Sequence, residues 1–99
     1  MVKHIVLFKL KGDVSQEEKT NLMIAFKKAI ESIPDKIPII CKMEVGFNSN
    51  TNENWHIALY SEFESLEDLK LYAAHPEHIA AGKIIAGIKE SRACVDYQY

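Results

Sequence analysis

The spacing of apolar residues changes period several times along this chain, and each change marks an element. Residues 2–10, VKHIVLFKL, are rich in β-branched and aromatic side chains and end at Lys11-Gly12-Asp13, which predicts a first strand. Ser15 and Glu18 then form a capping-box pair. Leu22, Phe26, Ala29, Ile30 and Ile33 recur at helical spacing until Pro34 stops the helix. A second strand is predicted over residues 39–47. The stretch 48–54, NSNTNEN, has no apolar anchor and reads as a solvated connection to a third strand over 55–63. Ser65 and Asp68 repeat the capping signature, and Leu66, Leu69, Tyr72 and Ala73 place a second helix ending near Ala74. Pro76 opens a further helical stretch that ends near Gly87, and SRACVDYQY closes the chain as a fourth strand.

The order β-α-β-β-α-(α)-β predicts an α+β, ferredoxin-like fold: a four-stranded antiparallel sheet with its helices on one face. A sheet covered on one side normally alternates apolar and polar residues. Here the first strand carries Val2, Val6, Phe8 and Leu10 on one side and Ile5 and Leu7 on the other. The second carries Ile39, Cys41, Met43, Val45 and Phe47 against Ile40, and the third Ile57 and Leu59 against Ala58 and Tyr60. Both faces are apolar, and the helices cover only one. The uncovered face is expected to meet a second copy of the chain, in a homodimer burying more than roughly 1,200 Å².

Composition narrows the function. With 99 residues, 47% hydrophobic and 26% charged, the chain supports a single domain over residues 1–99 with a modest core. Its net charge of −2 and dispersed bases give no phosphate-binding footprint. The third strand also lacks the basic-Gly-aromatic run of an RNA-recognition motif, so no nucleic-acid partner is expected. No apolar run reaches the length of a membrane span, and the N-terminus lacks the cleavage site of a secretory signal. A cytoplasmic protein with no membrane partner is expected. Cys41 and Cys94 lie far apart in apolar segments and are expected to be reduced, buried and unpaired.

The chemistry concentrates in LYAAHPEHIAAG, Leu71 to Gly82. Pro76 suits the first turn of a helix, which puts His75 at a break and His78 in the new first turn. There the helix dipole disfavours imidazolium, leaving a neutral ring able to accept a proton. The plainer reading has both rings capping or packing the junction, with Glu77 complementing the dipole. Tyr72 lies on the apolar stripe of the second helix, as a core residue or as a phenol facing His78 or a substrate carbonyl. His4 and His56 sit on strands among apolar neighbours, and Phe8, Phe26 and Tyr60 read as core before pocket. Two histidines three apart, with no HExxH or CxxC, fall short of a zinc site, so no metal is expected.

MVKHIVLFKLK, WHIALYSEFES and above all Tyr72-x-x-His75-Pro76-x-His78 resemble the Dabb family of stress-responsive dimeric α/β-barrel domains, over essentially the whole chain. The resemblance implies a ferredoxin-like subunit whose sheet packs against that of a partner. Some plant members are polyketide cyclases that close a linear polyketide by intramolecular aldol condensation, without metal or organic cofactor. On that basis Tyr72 and His78 are the candidate catalytic pair, with His4 and His56 matching further polar residues near the pocket; Val6, Phe8, Phe26 and His75 complete the candidate ligand-binding residues. Ala80-Ala81 stand where the cyclases carry a bulkier aromatic, so the resemblance does not carry the cyclase substrate across. Two readings follow. One is a dimer that binds a small apolar or aromatic molecule between sheet and helices. The other is a cofactor-independent cyclase with His78 as general base and Tyr72 orienting or protonating a carbonyl oxygen. A monooxygenase of related fold acting on quinone precursors is a more distant reading, and an amino-acid-binding regulatory module rests on topology alone.

Overall fold

The computed structural model describes residues Met1–Tyr99. Its elements are β1 (Val2–Leu10), α1 (Gln16–Glu31), a 3₁₀ turn (Ile33–Asp35), β2 (Ile40–Phe47), β3 (Ile57–Phe63), α2 (Leu66–Ala74), α3 (Pro76–Ala86) and β4 (Lys89–Gln98). The strands form one antiparallel sheet in the order β2-β3-β1-β4, the ferredoxin-like arrangement expected from the pattern.

Local chemistry sets the helix boundaries. The Ser15 hydroxyl accepts the Glu18 N–H at 3.1 Å, and the Ser65 hydroxyl accepts the Asp68 N–H at 3.1 Å. Such caps each contribute about 1 kcal/mol. Pro34 cannot donate to a continuing helix, so α1 stops at Glu31 and one 3₁₀ turn carries Ile33 into the core. Helix residues Phe26, Ile30, Leu69, Tyr72, Ala81 and Ile85 then pack on Val2, Val6, Phe8, Leu10, Leu59 and Phe63 of the sheet. Along β1 every second residue is buried and the others are half-buried.

The second strand departs from the expected alternation. Its ladder with β3 skips a residue between Ile40 and Lys42. Ile40, opposite Phe63, is therefore buried, and Cys41 is left exposed. A bulge exchanges the faces on its two sides, which a strict period of two cannot anticipate. Cys94 is exposed too, because it lies on β4, an edge strand that no helix covers. Both cysteines are free, but neither is buried within the chain.

The sheet's two edges are treated differently. On β2, Glu31 accepts the Val45 N–H at 3.0 Å and the Lys27 ammonium at 2.9 Å, while Lys27 also donates to the Val45 carbonyl. These contacts occupy edge groups that would otherwise pair with another strand. No such strap crosses β4, whose residues after Lys89 are all exposed. On the face away from the helices, Ile5 and Leu7 are half-buried, while Ala58, Ala93 and Val95 are exposed, Val95 by 53%. The connection at 48–54 is exposed and organised by its asparagines: Asn48 and Asn50 side chains accept backbone N–H groups two residues on.

Candidate functional site

A cavity of about 110 Å³ lies between the sheet and helices α1 and α3. Val6, Phe8, Phe26, Ile30, Leu59 and Ile85 supply apolar walls, and Phe8 meets Phe26 edge-on at 5.5 Å between ring centroids. Polar groups come from His4 on β1, His78 on α3, and Lys89 and Arg92 on β4. Gly82 of α3 also borders the space, where a side chain would take up part of it.

His78 stands in the first turn of α3, as the Pro76 start predicts. Its Nδ1 lies 3.0 Å from the Ala73 carbonyl oxygen. A carbonyl only accepts, so Nδ1 carries the proton and Nε2 keeps an unengaged lone pair. Burial lowers the ring's pKa. The Ala73 carbonyl opposes this, while positive charge at His4 and Arg92 reinforces it. The ring therefore favours the neutral form.

Tyr72 is fully buried, and its hydroxyl has no hydrogen-bond partner. Burial pushes its pKa well above the usual 10, so it stays a donor at neutral pH. Its ring lies 4.6 Å from that of His78 and 6.4 Å, edge-on, from that of His4. Tyr72 is not itself a wall of the cavity: it bridges two residues that are. His4 in turn donates from Nδ1 to the Asp96 carboxylate, directly opposite in the β1–β4 register, with the Cys94 sulfur 3.7 Å away.

Of the candidate ligand-binding residues, His4, Val6, Phe8 and Phe26 border the cavity, while His56 and His75 do not. The His56 Nδ1 accepts the Leu10 N–H at 3.0 Å, and the backbone N–H of His56 donates to the Phe8 carbonyl at 2.9 Å. His75 closes α2 and caps α3, its Nδ1 accepting the Glu77 N–H at 3.1 Å. Backbone donors hold both rings in place.

The polar and charged residues missed from sequence are Lys89, Arg92 and Asp96. Arg92, Cys94 and Asp96 alternate along β4, but only the register with β1 puts them on the face of Phe8, Val6 and His4. Donor atoms of His4, Cys94 and Asp96 lie within 4.8 Å of one another. They make a poor metal site, since His4 and Asp96 are already joined. Burial and the Asp96 charge also push the Cys94 thiol up, away from the thiolate a metal requires.

Comparison with known proteins places this fold among relatives. The family model for the stress responsive A/B barrel domain, Dabb, matches residues 2–99. The crystal structure of a dimeric, ferredoxin-like protein of unknown function from Bacteroides fragilis is 64% identical. It superposes with a TM-score of 0.98 over 99% of this chain and 95% of that one. A stress-response A/B barrel domain-containing protein of Arabidopsis thaliana is 30% identical over 97 residues. That match takes in 98% of this chain but 46% of the plant protein, so the chain spans about half the length of that relative. Olivetolic acid cyclase of Cannabis sativa is 24% identical over 96 residues, 97% of this chain and 94% of that one. The chain belongs to the Dabb family of stress-responsive A/B barrel domains.

Proposed function

We propose that this chain works as a homodimer whose subunits each hold a small, largely apolar or aromatic molecule in the cavity between sheet and helices. The observation that carries this reading is an apolar cavity lined by His78, whose Nε2 has no partner, with Tyr72, whose buried hydroxyl also lacks one, packed 4.6 Å behind the His78 ring. At about 110 Å³ it is somewhat smaller than an engineered cavity of roughly 150 Å³ that accepts benzene. One small ring or a short branched chain suits it, and an extended polyketide exceeds it. Two free thiols fit a reducing compartment, and we place the protein in the cytoplasm.

The dimer reading is supported by the exposed apolar residues Ala58, Ala93 and Val95 and by the dimeric description of the Bacteroides fragilis relative. Light scattering at micromolar concentration should give twice the chain mass of 11.3 kDa. Val95→Asp should shift the species toward the monomer. A wild-type monomer would end this part of the proposal.

The buried Tyr72 hydroxyl favours a second, catalytic reading. An unsatisfied buried donor costs about 1–3 kcal/mol, and a ligand carbonyl reaching past His78 to Tyr72 would supply the missing acceptor. His78 Nε2 would remove a proton from the carbon next to that carbonyl. The electron pair would move onto the carbonyl oxygen, hydrogen-bonded by Tyr72. The enolate carbon would then attack a second carbonyl of the same molecule, and the alkoxide would recover the proton from His78. The similarity to a plant cyclase supports this chemistry. Acetophenone methyl-proton exchange in D₂O, followed by NMR, tests the first step. Wild type should accelerate it, His78→Ala should abolish the acceleration, and Tyr72→Phe should reduce it by roughly 10²–10⁴-fold. No acceleration by wild type would reject the catalytic reading and leave the binding reading standing.

A further inference from the structure

The rim of the cavity carries charge that an apolar ligand would not use. Lys89 and Arg92, both on β4, border the opening. The Lys89 ammonium lies 6.0 Å from the centroid of Phe8, and Arg92 is the residue paired with Phe8 across the β1–β4 ladder. Neither cation has a carboxylate partner within 4.0 Å, so both charges at the opening are free to meet a ligand. The nearby acids are engaged elsewhere: Glu90 is held by Lys9 at 3.1 Å, and Asp96 by His4. The Arg92 guanidinium lies near the Cys94 thiol, a weak acceptor. In a chain of net charge −2, two unpaired cations meet at one apolar opening.

We propose that the ligand is an anion: a small aromatic or branched-chain carboxylate whose apolar part enters between Phe8, Phe26 and Ile85 while its carboxylate meets Arg92 and Lys89 at the rim. This deepens the binding reading above and rests on it. The two side chains divide the work by their chemistry. Arg92 offers a planar fork that matches both carboxylate oxygens, and Lys89 adds a point charge from the side of Phe8. The contact is exposed on the β4 side, so its strength is modest and salt-dependent.

The test compares benzoate with benzamide, nearly identical in shape but uncharged, by chemical-shift titration of the isotopically labelled protein. Benzoate should bind roughly tenfold more tightly at low salt, the combined effect of two rim contacts. The advantage should shrink as ionic strength rises. Arg92→Gln and Lys89→Gln should each lower the benzoate-to-benzamide affinity ratio, and together bring it toward one. Equal or tighter binding of benzamide by wild type would overturn the anion inference while leaving the binding reading intact. So would an unchanged ratio in the double variant. If neither compound shifts the resonances of the cavity residues, both proposals fall.

Discussion

His56 and His75 turn Nδ1 toward a backbone N–H, at the end of β1 and at the α2–α3 break, and each accepts a hydrogen bond there. His4 and His78, at the cavity, turn Nδ1 toward a carboxylate and a carbonyl, and each donates. The first pair spends its lone pair on the fold, with the ring proton left on Nε2. The second pair spends its Nδ1 proton on the fold, and His78 is left with a lone pair on Nε2. Burial does not separate the pairs, since His56, His75 and His78 are all half-buried. Whether Nδ1 meets a donor or an acceptor separates the capping rings from His78, the one free to act as a base.

Substitution should separate the pairs most clearly at His56 and His78. His56→Ala leaves the Leu10 N–H without its acceptor and should cost about 1–3 kcal/mol, read as a lower urea midpoint. His78→Ala leaves only the Ala73 carbonyl, on an exposed residue that water can reach, and should cost less than about 1 kcal/mol. Ligand binding should show the reverse order. A His78→Ala protein that unfolds while its ligand affinity survives would put His78 with the structural pair.

His75 gives a smaller and more specific effect. Losing the cap of α3 should cost about 1 kcal/mol in His75→Ala, and His75→Asn should recover most of it, because an amide oxygen can accept the same Glu77 N–H. A loss of equal size in both variants would show that His75 acts through packing and not through its cap.

The sequence carried the scaffold of this comparison and only part of its chemistry. The two Ser caps, the stop at Pro34 and the break at Pro76 depend on neighbours within four residues, so they are readable one residue at a time. The Tyr72–His78 pair came from the family resemblance, and the structure brings the two rings to 4.6 Å while leaving Tyr72 outside the cavity wall. The rim and the His4–Asp96 pair were not legible, because they depend on which residue of β4 faces which residue of β1, 92 positions apart in the case of His4 and Asp96. The bulge at Cys41 was hidden for the same reason, since a skipped pairing is a property of two strands. The sequence singled out His78 by its place in a first turn, but it did not specify what each Nδ1 meets, because that partner is a backbone atom or a distant side chain.

The smallest expected effect is the pH dependence of stability, and its sign follows from the two rings whose pKa values are displaced. Burial lowers the pKa of His56 from the usual 6.5, with Lys19 and Lys9 adding to the shift and Glu90 opposing it. Burial likewise lowers that of His78. A histidine with a depressed folded-state pKa binds its proton more readily in the unfolded chain. Its contribution is therefore fully present above the unfolded value and is lost as pH falls below about 6.5 toward the folded value. Glu31 does not confuse this window. Although desolvation raises its pKa, bonds from Lys27 and Val45 outweigh that and place it below the usual 4.5. Urea midpoints measured from pH 7.5 to 5 should therefore decline on acidification. His56→Asn should flatten part of that decline by removing one of the two rings, and the slope that remains should belong to His78 and vanish in the double variant His56→Asn/His78→Ala. A wild-type midpoint that rises as the pH is lowered through 6 would contradict both assignments, because it would require a ring that gains a partner on protonation.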